Sequence, residues 1–307
     1  MLLNRERANR VMDEYGLDAL IATAVDNITY LSDYSSLEFI LDPRAQRYCI
    51  LPRDEAVDPA LILPMVELET VAEGGIWFSD IRVHGIKYMG LLPGACLRGR
   101  EQRLQELRRT CPRADMPLEA LLAALKDKRL AEARIGLEAA NIGFPLVDGL
   151  REELPRAEFI PASELLYEIR MVKTPEEIER LKASSAINEE ALGEVIAMVQ
   201  EGVNFMELYR QYRRGVTERG AIPRLWSAGH GTASAGGFTP SDTFVERGDI
   251  VLLDTGCAYQ SYFSDTCRVV CVGERSQRAL QCYQAIMAGY RAALSLVRPG
   301  VMASEVF

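Results

Sequence analysis

Asp254 and Asp265 stand eleven residues apart in a segment whose alternation of apolar and polar side chains reads as a β-hairpin. The strands are expected from Asp249 to Cys257 and from Ser261 to Val272, around a turn centred on Tyr259 and Gln260. Such a turn sets Asp254 directly opposite Asp265, with Cβ atoms about 4.5 to 5.5 Å apart, where like charges destabilise a sheet. Period-two alternation puts Ile250, Leu252 and Gly256 on the face of Asp254, and Phe263, Cys267 and Val269 on the face of Asp265. That face is expected to be apolar and buried, and two carboxylates on it need a proton or a cation. Oxygen donors of this kind suit hard or borderline divalent ions such as Mn²⁺, Co²⁺ or Zn²⁺. The bland alternative is a solvated hairpin carrying two independent aspartates, and the apolar neighbours weigh against it.

The rest of the chain sets the frame for this hairpin. Its 307 residues are long for one core and imply two domains. A content of 48% hydrophobic and 26% charged residues places it among ordinary globular proteins. The formal net charge of -9 argues against nucleic acid or an anionic membrane as a partner. No run of apolar residues reaches the length of a membrane span, and charges interrupt the first sixteen residues where a signal core would lie. Seven cysteines without Cys-x-x-Cys spacing fit a reduced compartment, so a cytoplasmic location is expected.

Along the chain, Arg5 to Tyr15 has helical periodicity and stops at Gly16, a natural C-cap. Strands are expected at Leu17 to Thr23, Tyr48 to Leu51, Ala60 to Leu63 and Arg134 to Leu137, with helices at Gly99 to Thr110 and Leu118 to Lys126. This alternation predicts a small α/β domain with a mostly parallel sheet, residues 1–164. Thr174, followed by Pro175 and Glu177, signals the start of a long helix reaching about Gln200. A second amphipathic helix, Asn204 to Arg219, and a Gly-rich loop, Gly229 to Gly237, precede the hairpin in a second domain, residues 165–307. The Gly-rich loop lacks the strand-then-helix context of a nucleotide site and is expected to shape a pocket wall.

The run GDIVLLDTGCAYQSYFSDTCR, Gly248 to Arg268, resembles the first metal-binding hairpin of the aminopeptidase P, prolidase and creatinase family of metallopeptidases. Gly248, Asp249, Asp254, Gly256, Tyr262, Ser264, Asp265 and Arg268 carry the match; Ser261 and Cys267 depart from the usual Gly and Thr or Ser without removing a ligand. Residues 5–34, with a helix, a short strand and an Asn-Ile-x-Tyr-Leu-Ser turn, resemble the family's N-terminal domain, and Glu168 to Leu192 resembles its interdomain junction. The resemblance implies an α/β creatinase-like N-terminal domain followed by an α+β pita-bread catalytic domain. It assigns Asp254 to one metal and Asp265 to a bridge between two divalent ions, Mn or Co foremost and Zn as an alternative. Creatinase itself lacks both carboxylates, so their presence argues against a true creatinase.

The family's remaining ligands, a His and two Glu, are absent, since the only histidines are His84 and His230, both before the hairpin. The chain is therefore expected to be C-terminally incomplete and, alone, unable to build the full site. The family's substrate-positioning His lies eleven residues before the Gly that opens the hairpin, which here is Gly237. His230 is the candidate for that catalytic role through a rearranged loop, and His84 is set aside. Arg44 and Arg47 follow the Asn-Ile-Thr-Tyr turn, where dimeric relatives reach a partner's active site; a solvated surface is the expectation for both. Cys257, Cys267 and Cys271 are read as small core residues.

The function expected is a metal-dependent hydrolase with a dinuclear site and an activated water, an Xaa-Pro aminopeptidase or dipeptidase acting on a peptide or small amide as a homodimer. The alternatives are a family hydrolase of a small non-peptide C–N substrate, either creatinase-like or cyclic amidine, and a non-catalytic peptide-binding pita-bread module. Retention of both aspartates argues against the last.

Overall fold

The computed structural model describes residues 1–87, 96–139, 144–235 and 242–307, and they divide into two compact units, Met1–Glu179 and Arg180–Phe307. The first unit opens with α1 (Arg5–Tyr15), capped by the Asn4 side chain on the Arg7 amide and closed by Gly16 in the left-handed region at φ 63°. There follow β1 (Ala19–Ala22), α2 (Val25–Ser32), α3 (Glu38–Leu41), β2 (Tyr48–Pro52), β3 (Ala60–Pro64), α4 (Leu68–Val71) and β4 (Asp80–His84). The unit continues through α5 (Arg100–Thr110), β5 (Arg113–Ala114), α6 (Pro117–Asp127), β6 (Arg134–Leu137), α7 (Phe144–Glu153), β7 (Glu158–Pro161) and α8 (Ser163–Arg170).

The seven strands form one sheet in the order β5-β4-β3-β2-β1-β6-β7. Only β2 runs antiparallel to its neighbours, so the mostly parallel sheet expected from the alternation is present. Strands β1 and β2 are buried along their whole length, as a sheet covered on both faces requires. On one face Ile21, Ile50 and Ile62 pack with Leu121 and Leu125 of α6 and Leu150 of α7.

Three expectations change in this unit. The Asn-Ile-x-Tyr-Leu-Ser segment is not a turn but the helix α2, and the two residues that lead into it are held from a distance: the Thr23 and Ala24 amides donate to Glu138 Oε2 at 2.8 and 2.9 Å. Residues 165–179 belong to the first unit, because α8 buries Leu165, Leu166 and Ile169 and packs on α1. Arg47 is not on a solvated surface but is 2% exposed, 2.6 Å from Glu67, and donates to the carbonyls of Glu38, Asp42 and Ala45. Tyr34 Oη donates to the other oxygen of Glu67, yet burial outweighs these partners and holds the Glu67 carboxyl above its usual range. Arg44 is exposed as expected, and His84 ends β4 with Nε2 2.8 Å from the Gln46 carbonyl, a packed residue.

In the second unit, α9 (Pro175–Met198) and α10 (Phe205–Glu218) precede β8 (Ile222–His230), β9 (Ile250–Tyr259), β10 (Tyr262–Phe263) and β11 (Thr266–Cys271), then α11 (Gln277–Leu296) and α12 (Ala303–Val306). The expected cap is present: Glu177 N donates to Thr174 Oγ1 and Thr174 N to Glu177 Oε2, a reciprocal capping box. In the sheet, β9 is central, with β8 on one side and the β10–β11 strand on the other. Leu192 and Val195 of α9 and Phe205, Leu208 and Tyr212 of α10 pack against Val251, Leu253 and Cys257 of β9. Among the described residues α11 buries no side chain and exposes Tyr283, Ile286, Tyr290 and Leu294.

Replacing Arg47 with Met leaves the Glu67 carboxylate buried and half-partnered, so we expect a loss of about 3 to 5 kcal/mol in chemical denaturation. The double replacement Arg47→Met with Glu67→Leu should recover much of it; a double variant no more stable than the single one would show that the pair is not what holds this loop.

Candidate metal centre

The position of Asp254 follows from what its neighbours bury. Thr255 is fully buried and its carbonyl accepts from Asn188 Nδ2 at 2.9 Å, while its hydroxyl donates to Asn188 Oδ1 at 3.2 Å. Tyr212 Oη donates to the same Asn188 oxygen at 2.7 Å. Two residues on, the Cys257 carbonyl accepts from Ser184 Oγ at 3.2 Å and from the Ser264 amide at 2.9 Å. With Val251, Leu253, Thr255 and Cys257 all turned to the helices, period-two alternation turns Leu252, Asp254 and Gly256 the other way.

The hairpin turn is centred on Gln260 and Ser261, one residue later than expected, with both residues left-handed at φ 47° and 71°. That is the backbone a two-residue hairpin loop needs. The shift places Cys267, not Asp265, directly opposite Asp254, and Asp265 lies diagonally from it. Both carboxylates remain on one face because a one-residue move of the turn changes each pairing by two positions. Asp254 has Ser227 across the ladder on its other side.

The face itself also differs from expectation. It is open: Phe263 is 53% and Val269 56% exposed, and Cys267 is exposed and not a core residue, whereas Cys257 on the opposite face is fully buried. The helices cover the Thr255 side, so the aspartates look outward. They still act on each other: partial burial, the charge of Asp265 and a hydrogen bond shared with it raise the Asp254 carboxyl above its usual range. Among the described residues no group of three or more His, Cys, Asp or Glu side chains is placed to hold a metal ion. The two carboxylates nevertheless fit a divalent cation in donor type and in their mutual repulsion.

His230 is not brought to this pair. It ends β8 opposite Val251, on the covered side of the sheet, with Nδ1 2.8 Å from Asp249 Oδ2 and Nε2 2.8 Å from Thr243 Oγ1. Its ring lies 5.1 Å from that of Phe205. The Asp249 carboxyl is held below its usual range by the Glu246 amide and by His230, so the group anchors the chain entering β9. His230, Gly231, Thr232, Ser234, Glu246 and Asp249 line an open depression, the pocket wall expected of the Gly-rich loop, while Gly237 lies outside the described residues. Sequence reasoning missed Ser184, Asn188 and Tyr212, whose only signal is three polar residues on helix faces that bury apolar neighbours.

Comparison with known proteins agrees with this architecture. The description Creatinase/Prolidase N-terminal domain matches residues 5–172, and metallopeptidase family M24 matches residues 179–307. The chain belongs to the creatinase/prolidase family, with a creatinase-type N-terminal domain and an M24 pita-bread domain. It is 28% identical over 177 residues to an Xaa-Pro dipeptidase of Pyrococcus furiosus, covering 56% of this chain and 50% of that protein. Against an Xaa-Pro dipeptidase of Lactobacillus helveticus it is 27% identical over 312 residues, covering 99% of this chain and 75% of that one. In fold it is similar to an Xaa-Pro dipeptidase from Bacillus anthracis, with a TM-score of 0.75 and 20% identity over 98% of this chain and 74% of that one. An X-Pro aminopeptidase from Thermotoga maritima gives a TM-score of 0.72 at 20% identity, over 97% and 74% of the two chains. The chain thus spans about half the length of the first of these relatives. The M24 family implies divalent metal ions.

Removing one charge of the pair gives a test that needs no substrate. In metal-free protein Asp265→Asn should raise stability at neutral pH, by less than about 1 kcal/mol because Asp265 is exposed and screened. The raised Asp254 carboxyl means that the native state binds its proton more readily, so the advantage of the variant should vanish as pH falls through the Asp254 titration. Thermal melts across pH check this; equal stability at neutral pH would show that the two carboxylates do not repel.

Proposed function

We propose that Asp254 and Asp265 are metal-binding carboxylates of a hydrolase that cleaves Xaa-Pro dipeptides or removes the residue before proline from a peptide. The observation that carries this reading is the adjacency of the two carboxylates on the open face of β9 and β11, with Asp254 held above its usual range by partial burial and by its neighbour. The names of the relatives support the substrate class. Two divalent ions, Mn or Co foremost and Zn as the alternative, belong to the reading. A bound ion of this kind would lower the pKa of a coordinated water to about 7 and so supply hydroxide at neutral pH.

The chain's own residues would do the following. Asp254 and Asp265 bind, and the bonds of Asn188 to Thr255, with Tyr212 holding Asn188, keep Asp254 outward. Gly256 holds the strands close: a Cβ there would stand 2.5 Å from the Ser264 carbonyl oxygen. The same reading includes a homodimer in the cytoplasm, and the net charge of -9 supports a set of partners without nucleic acid or anionic membrane.

A second reading, hydrolysis of a small non-peptide C–N compound, is favoured by Gly237, which occupies the place of the family's substrate-positioning His, and by the turning of His230 away from the carboxylates.

The test is release of proline from Ala-Pro, and of alanine from an Ala-Pro-headed peptide, by the natural protein with and without Mn²⁺. Metal-dependent release that falls at least about 100-fold in Asp254→Asn and Asp265→Asn is expected. Bound metal without release moves the assignment to the second reading, and absence of metal binding overturns both.

A further inference from the structure

The bonds around His230 do more than anchor the chain. Asp249 Oδ2 accepts the Glu246 amide at 2.9 Å and lies 2.8 Å from His230 Nδ1, while His230 Nε2 lies 2.8 Å from Thr243 Oγ1. The Glu246 amide and His230 hold the Asp249 carboxyl below its usual range, so at neutral pH it is ionised and can only accept. The proton between Asp249 and His230 therefore belongs to Nδ1. In the neutral ring this leaves the lone pair on Nε2, and the Thr243 hydroxyl is the donor to it. Carboxylate, imidazole and hydroxyl stand in the order, and at the distances, by which a base activates an oxygen nucleophile.

Each member is fixed by the surrounding fold. Phe205, 1% exposed, has its ring 5.1 Å from that of His230 and backs the imidazole. Gly231, at φ 57°, lets the other Asp249 oxygen come close, since a Cβ there would stand 3.0 Å from Oδ1. Thr243 is held through its main chain: its carbonyl accepts from the Phe205 amide at 2.8 Å, and the next residue, Phe244, bridges to Asn204. Val245 closes the same segment, donating to the Val203 carbonyl and accepting from the Gly202 amide. Thr243 itself is exposed.

An anchor does not require the bond to Thr243. Asp249 is already held by an amide and an imidazole, and a hydrogen bond to an exposed hydroxyl competes with water and adds little stability. Beside His230 lies an open depression of about 480 Å³, whose lining includes Glu246, Gly248, Asp249 and Ile250. Its two carboxylate side chains suit an uncharged acyl group and repel an anionic one.

We infer that Thr243 is a nucleophile toward short, uncharged carboxylic esters, with His230 as its base, at a site that uses neither Asp254 nor Asp265. Thr243 Oγ1 attacks the ester carbonyl carbon, and its proton passes to His230 Nε2. The bond from that carbon to the leaving oxygen then breaks, and the departing alkoxide takes the proton from Nε2 and leaves as the alcohol. Water attacks the acyl-threonine ester in the second half, its proton moving to Nε2 and on to Thr243 Oγ1 as the carboxylic acid is released.

The test is turnover of p-nitrophenyl acetate by the natural protein, with and without EDTA, beside Thr243→Ala, Thr243→Ser and His230→Gln variants shown by thermal melts to be folded. Thr243→Ala should release p-nitrophenolate at least about 100-fold more slowly, His230→Gln should fall to a similar level, and Thr243→Ser should stay within about tenfold of the wild type. Truncating the exposed Thr243 side chain leaves its main-chain bonds in place, so this variant isolates the hydroxyl. Peptide mapping after reaction with an alkyl fluorophosphonate should find the phosphonyl group on Thr243 Oγ1, with fluoride released. A rate unchanged in Thr243→Ala, loss of turnover in EDTA, an adduct on another residue, or faster reaction of the anionic mono-p-nitrophenyl succinate overturns the proposal.

Discussion

The alternation of β9 between a covered and an open face is the constraint on which the second unit depends. Thr255 is locked to Asn188, and through it to Tyr212, by hydrogen bonds that have no access to water. A register slip of one residue would expose Thr255, leave Asn188 unsatisfied, and push the Asp254 carboxylate among Leu208, Val195 and Tyr212. Each of those changes costs free energy separately, so the outward aim of Asp254 is set by polar groups on the other side of the sheet. Cys257 repeats the arrangement two residues later, held by Ser184 and Ser264.

The two faces consequently carry different chemistry. On the covered face His230 has Asp249 and Thr243 as partners, and Asp249 also accepts from the Glu246 amide. These bonds anchor the chain as it enters β9 and leave His230 no nitrogen to offer elsewhere. On the open face Gly229, Gly256 and Ala258 share the alternation of Asp254. Close approach is part of this economy, since Gly256 sits where a side chain would strike the backbone of the next strand.

The hairpin and the shared face of its aspartates are legible in the sequence because period two is insensitive to a one-residue displacement of the turn. Gln260 and Ser261 are not the Asn-Gly type of pair that marks a two-residue turn, so the turn was placed one residue early. The parity of Asp254 and Asp265 survived that shift, while their direct opposition did not. Burial of the face was misjudged for a different reason: apolar neighbours on a strand report the face they share, not what covers it. Features that depend on distant residues left no local trace. The residues leading into α2 are held by Glu138, more than a hundred residues on, and the Arg47 loop closes on Glu67 through a pair that only the folded chain brings together.

Two groups of charged side chains in this protein show why structural and functional ionic sites can be told apart by completeness. Glu67 and Arg47 are both buried, and every exposed valence has been closed: the carboxylate by Arg47 and Tyr34, the guanidinium by Glu67 and three carbonyls, with the Phe39 ring 5.1 Å from its carbon. Such a cluster has no capacity left for a ligand. Asp254 and Asp265 have the opposite character, since like charges adjoin each other, partial burial and the charge of Asp265 raise the Asp254 carboxyl, and solvent reaches both. A sequence does not hold two repelling carboxylates at fixed places in a rigid hairpin for the sake of stability, because an asparagine at either position relieves the repulsion. Local frustration of this sort, on the face turned away from the helices, is what the proposed cation site rests on.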